Sequence, residues 1–225
     1  MKIPLVLVSG LLSNKTLWKH QEMYLKDIAS IQIISPTQNT PQKMVQEILD
    51  TAPPQFVLAG HSMGGWLSLE VMRQAPSRVT RLCLLNTTAR MDSKEKRARR
   101  EEMIQRVKEG HFQELASEIA EKFVFNPKVK YDVKQMFLEV GAQTFIHQQE
   151  AMIIREESFS ILPTIVCPTL VIHAAEDTNF SLEEHQELAN SIQRASLSVV
   201  EKSGHMSPME APQAITDLLW NFIVV

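Results

Sequence analysis

The chain has 225 residues, 44% of them hydrophobic and 22% charged, a composition that fits one large globular domain or one domain carrying an insertion and excludes a disordered chain. Its 11 Pro and 7 Gly are too few for a collagenous or low-complexity protein. The 23 Lys and Arg against 26 Asp and Glu leave a formal net charge of -3, with no overall attraction to nucleic-acid phosphates or anionic membranes.

In chain order, Lys2 and the apolar run 3–12 have a faint likeness to a secretory signal, but Pro4 and the lack of a small-residue cleavage site favour a first buried strand over 4–9. Further strand-like runs fall at 31–35, 55–59, 81–86, 169–174 and 196–201. Their near-continuous Val, Ile and Leu content is that of strands covered by helices on both faces. Helical spacing lies between them. Met44, Ile48 and Leu49 follow Thr40-Pro41, a cap and a first-turn proline, and Leu67, Val71 and Met72 follow Ser62. Leu182, His185, Leu188 and Ile192 follow Ser181, with Glu184 three residues on, and Ala214, Leu218 and Phe222 come last. The alternation predicts an α/β fold with a mostly parallel sheet of about six strands flanked by helices.

Residues 92–162 break that alternation. Phe112, Leu115, Ala116, Ile119, Ala120 and Phe123 recur at helical spacing, as do Met136, Val140 and Thr144 beside Phe137, Gly141 and Phe145. This reads as a helical insertion between core segments 1–91 and 163–225. No stretch reaches the ~20 apolar residues of a membrane helix, so membrane insertion is not expected. Cys83 and Cys167 are the only cysteines; they allow neither a disulfide framework nor a four-cysteine zinc site and read as reduced thiols of a cytoplasmic protein.

The most informative segment runs Phe56-Val57-Leu58-Ala59-Gly60-His61-Ser62-Met63-Gly64-Gly65. A strand enters Gly60-x-Ser62-x-Gly64 and a helix leaves it, the context of a nucleophile elbow, in which small neighbours give clearance to a strained serine. The N–H of Met63 would then face a developing oxyanion at the helix N-terminus. A dinucleotide or P-loop phosphate site would need other glycine spacings, which do not occur. With Gly60-His61-Ser62-Met63-Gly64-Gly65 the chain resembles the α/β-hydrolase family along nearly its whole length, from the strand at Pro4 to the last helix.

A serine needs a base and the base an orienting carboxylate. The resemblance implies that both follow the nucleophile, each just past a strand end, in the order acid then histidine. Asp177 and His205 occupy those places. His185 is the other histidine beyond Asp177 but sits on the core face of a helix; Glu176 and Asp92 stay open as alternative acids. His61, adjacent to Ser62, reads as support for the elbow. Leu11 in Ser9-Gly10-Leu11-Leu12 is the second expected oxyanion donor, with Gly10 permitting close approach, although the family usually has His where Ser9 stands. Five of the seven glycines, Gly10, Gly60, Gly64, Gly65 and Gly204, fall in the loops assigned to the oxyanion, nucleophile and base. Segment 92–162 resembles the family's active-site cap, and the charged run 94–102 reads as its solvated face.

The expected protein is therefore a serine hydrolase without cofactor or metal, acting on a small-molecule carboxylic ester through an acyl-enzyme on Ser62. Thioester, lactone or C–C bond cleavage on the same fold, and a non-catalytic ligand-binding member, are the competing readings.

Overall fold

A computed structural model describes residues 2–224. Six strands, β1 (Ile3–Val8), β2 (Ala29–Ile34), β3 (Phe56–His61), β4 (Val79–Leu85), β5 (Thr169–Ala174) and β6 (Ala195–Val200), form one sheet in the order β2-β1-β3-β4-β5-β6, and every neighbouring pair is parallel. The most apolar strands are interior: every residue of β3 and of β5 is buried. Polar residues collect at the edges, as in Ala195-Ser196-Leu197-Ser198 of β6, where one side of the strand has no partner among the described residues.

The helices along the core are α1 (Lys19–Leu25), α2 (Pro41–Thr51) and α3 (Met63–Gln74). Thr40 caps α2, its hydroxyl accepting from the Lys43 N–H at 3.3 Å. Between β4 and β5 run α4 (Lys94–Lys108), α5 (Phe112–Phe123), α6 (Lys130–Val140) and α7 (Ala142–Ile153), with no strand among them. The periodic stripe through Met136 and Phe145 is broken at Gly141, whose φ of 86° turns the chain between α6 and α7. The chain closes with α8 (Leu182–Asn190), α9 (Ser207–Glu210) and α10 (Pro212–Val224); Ser181 and Glu184 exchange the reciprocal hydrogen bonds of a capping box at the start of α8.

Strand order places the site. The chain moves outward from β1 to β2, then crosses back to β3 on the other side of β1. The loops leaving β1 and β3 therefore diverge and open a crevice at the carboxyl edge of the sheet, where ligands bind in open α/β folds. Ser62 leaves β3, and Gly10 to Leu12 leave β1, at that crevice.

Asp92, in the loop between β4 and α4, ties α4 to the chain just past α7. Its buried carboxylate takes Arg100 Nε at 2.5 Å and Arg155 Nη2 at 2.7 Å. Burial pushes the Asp92 carboxyl up, but the hydrogen bond and charge of Arg100 and the charge of Arg155 outweigh it and hold it below its ordinary value. Arg100 therefore turns inward from a run whose sequence reads as a solvated face. Removing one partner of a buried ion pair strands the other's charge, so Asp92→Ala is expected to lower stability by about 3–5 kcal/mol, read as the shift in urea unfolding. A loss under about 1 kcal/mol would show that water already screens the cluster.

Candidate active site

The turn after β3 is held under strain. Ser62 takes φ 55° and ψ -117°, a conformation that side chains avoid and that surrounding contacts must enforce. Its N–H donates to Leu85 O at 2.9 Å, and its carbonyl accepts from the Thr87 hydroxyl at 2.7 Å. The neighbouring glycines supply clearance and keep ordinary φ values. A Cβ on Gly60 would lie 2.2 Å from Gly64 O, and one on Gly64 would lie 2.3 Å from Val8 O. A Cβ on Gly10 would sit 3.0 Å from the Ser62 Cβ, so the loop after β1 lies directly against the elbow.

Past β5 and β6 the chain delivers Asp177 and His205. His205 Nε2 is 2.8 Å from Ser62 Oγ, and its Nδ1 is 2.8 Å from Asp177 Oδ2. A carboxylate accepts only, so Nδ1 carries the hydrogen, and in the neutral imidazole Nε2 presents its lone pair to the hydroxyl. Asp177 is further fixed by two donors, Asn86 Nδ2 on Oδ2 at 2.8 Å and the Asn179 N–H on Oδ1 at 2.8 Å. Burial works against the Asp177 charge, but the electrostatic interaction with His205 and these hydrogen bonds prevail and hold its carboxyl far below the usual carboxylate range. Phe123 and Phe180 pack on the imidazole with ring centroids 4.6 Å and 5.7 Å away. Their apolar faces keep bulk water from screening the pair.

The two alternative acids lie elsewhere. Asp92 is committed to Arg100 and Arg155, and the backbone N–H of Glu176 joins Ser203 O without its carboxylate reaching His205. His185 packs against His173, centroids 4.6 Å apart, away from Ser62. His61 points its Nε2 at the His205 carbonyl, 2.7 Å away. The carbonyl only accepts, so that nitrogen carries the hydrogen and His61 braces the loop that carries His205. The backbone N–H groups of Met63 and Leu11 have no acceptor among the described residues. No group of three His, Cys, Asp or Glu side chains among the described residues converges as a metal-ligand set.

Several polar residues around these three were not singled out by the sequence. Asn86, at φ 46°, joins Asp177 to Ser207, whose hydroxyl donates to Asn86 Oδ1 at 2.7 Å. Glu210 accepts the N–H groups of Phe125 at 2.8 Å, Asn126 at 2.7 Å and Met206 at 3.0 Å, and the His205 N–H donates to Phe123 O at 3.0 Å. The end of α5 is thereby stitched to the loop that carries the imidazole, and Gly204 is needed because a Cβ there would lie 2.9 Å from Phe125. A cavity of about 490 Å³ between α1, α6 and α9 is lined by Leu17, His20, Met136 and Met209; Ser62, Asp177 and His205 are not in its wall.

The sequence profile described as the alpha/beta hydrolase family matches residues 24–218. A structure of a thermophilic esterase from Thermogutta terrifontis superposes with a TM-score of 0.90 at 27% identity, over 98% of this chain and 89% of that one. An enol-lactonase from Burkholderia xenovorans LB400 does so with a TM-score of 0.90 at 20% identity, over 100% and 92%. A curated relative, the (E)-2-((N-methylformamido)methylene)succinate hydrolase of Acinetobacter baylyi, is 24% identical over 72% of this chain, and the alignment spans 62% of that protein's length.

The buried His61 offers a test of this packing. Burial first, and the neighbouring His205 second, push its pKa down from 6.5 to about 3. The folded state then refuses a proton that the unfolded chain accepts, so this residue subtracts stability as pH falls from about 6.5 toward 3. His61→Gln is expected to flatten the decline in urea-unfolding free energy between pH 6.5 and 4.5 by about 2 kcal/mol relative to the wild type. An unchanged slope would place a proton on His61 in the folded state.

Proposed function

The chain belongs to the alpha/beta hydrolase family, and from that premise we propose that it is a serine hydrolase cleaving small to medium carboxylic esters. The observation that carries the reading is the continuous relay at 2.8 Å and 2.8 Å from Asp177 through His205 to Ser62. A hydroxyl is a weak nucleophile at neutral pH, and it becomes competent when a basic nitrogen can take its proton as the bond to carbon forms.

In this reading Ser62 Oγ attacks the ester carbonyl carbon while its proton passes to His205 Nε2. The carbonyl oxygen becomes an oxyanion held by the N–H groups of Met63 and Leu11, and α3, starting at Met63, adds the positive end of its dipole. Collapse expels the alcohol, which takes the proton from His205 and leaves an acyl group on Ser62. Water then attacks that acyl carbon with His205 again as base, and the acid departs. Asp177 keeps the imidazole in one tautomer and stabilises its cation. Segment 92–162 acts as a cap through its contacts from the end of α5 to the base loop. The unpaired Cys83 and Cys167 suit a reducing, cytoplasmic setting.

Hydrolysis of p-nitrophenyl esters of graded chain length tests the assignment. Ser62→Ala and His205→Ala are each expected to reduce kcat by about 10⁴-fold or more, and Asp177→Asn by about 10³–10⁴-fold, with unchanged thermal unfolding for Ser62→Ala. Wild-type turnover in purified Ser62→Ala would refute the assignment.

A further inference from the structure

The loop after β1 is tethered by a side chain from far along the sequence. Leu12 is buried and is not glycine, yet it takes φ 54°. Its N–H donates to Gln148 Oε1 on α7 at 2.9 Å. The same amide donates through Nε2 to Pro36 O at 2.8 Å, in the loop after β2. Gln148 is only 1% exposed, and its one amide group bridges two loops at the carboxyl edge of the sheet.

The hydrogen bonds inside this turn show what the bridge controls. The Leu11–Leu12 peptide plane is held at both ends, the Leu12 N–H by Gln148 and the Leu11 carbonyl by the Ser13 hydroxyl at 3.1 Å. The preceding plane, which carries the Leu11 N–H, is held through Gly10 O by the Ser13 N–H at 3.2 Å. With those groups committed, the Leu11 N–H, like that of Gly10 just before it, has no acceptor among the described residues. Ser9 does not reach this turn: its hydroxyl accepts from Ser35 at 3.1 Å and lies 3.5 Å from Asn14 O. A left-handed leucine relaxes unless something opposes it, and one buried hydrogen bond is comparable in size with that strain.

We propose that Gln148 is a positioning residue for the oxyanion site: by fixing the Leu12 amide it sets the direction of the Leu11 N–H toward Ser62. The inserted segment thereby shapes the reacting centre as well as covering it. This inference rests on the hydrolytic reading of Ser62 and Leu11.

The test compares Gln148→Met, which keeps the length and loses both hydrogen bonds, with Gln148→Glu, which keeps an acceptor for Leu12. For p-nitrophenyl butyrate, kcat/KM of Gln148→Met is expected to fall about 10–100-fold, less than the loss of a whole oxyanion donor. Affinity for a trifluoromethyl ketone, whose Ser62 adduct places an oxyanion in the same site, should fall by the same factor. The pH midpoint of kcat/KM, which reports the base, should stay in place, and Gln148→Glu should lose less on both measures. If methionine is rejected by the fold, Gln148→Glu still decides the matter through its two losses, in kcat/KM and in inhibitor affinity, which should be equal. The inference is overturned by activity of Gln148→Met within two-fold of wild type, or in either variant by an activity loss without the parallel loss of inhibitor affinity. Ser62→Ala run alongside separates the two levels. Activity in Ser62→Ala removes the hydrolytic reading on which this rests, whereas an inactive Ser62→Ala beside an unimpaired Gln148→Met removes the Gln148 role alone.

Discussion

The arrangement depends on one constraint: a neutral imidazole must keep its unprotonated nitrogen against the Ser62 hydroxyl. The proton on the far side of His205 is fixed by Asp177, and Asp177 can remain a carboxylate in a buried setting because Asn86, Asn179 and the imidazole all donate to it. Asn86 is itself held by Ser207, two residues beyond His205. The polar shell is thus closed on itself, and loosening one member leaves another donor or acceptor buried without a partner.

Strain is distributed at the strand ends to make this possible. Among the described residues, those other than glycine with positive φ are Leu12, Ser62, Asn86 and Lys202, and they follow β1, β3, β4 and β6. Each costs on the order of 1–3 kcal/mol and survives because its neighbours over-determine it. The glycines do a different job. At Gly60, Gly64 and Gly204 a methyl group would collide with backbone or with a neighbouring loop and at Gly10 it would press on the elbow at 3.0 Å, whereas Gly110 and Gly141, at φ 96° and 86°, have open space and serve as turns. Strained side-chain residues stand where the chain leaves the strands, and glycines let the adjoining loops close in.

The sheet was legible because its signal is local. Interior strands such as β3 and β5 are continuous apolar runs, and Thr40 and Ser181 announce the helices they cap. The strand, turn and helix around Ser62 are legible for the same reason, since the three are contiguous in sequence. Asn86, Glu210 and Gln148 were not, because each acts on a partner 84 or more residues away and lies in no motif. Asn86 reads locally as the end of a strand, and Gln148 as one polar residue on a helix. Arg100 failed for a related reason: a charged run does not reveal which of its side chains will meet a buried carboxylate such as Asp92.

The central claim is that this geometry makes Ser62 accept an acyl group, and it is tested most directly by intact-mass and peptide-mapping spectrometry of enzyme quenched during turnover of a slowly deacylating ester. The expected result is one acyl mass added to the peptide containing Ser62 in the wild type and none in His205→Ala. Steady turnover with no adduct, or an adduct carried on a different side chain, would contradict it.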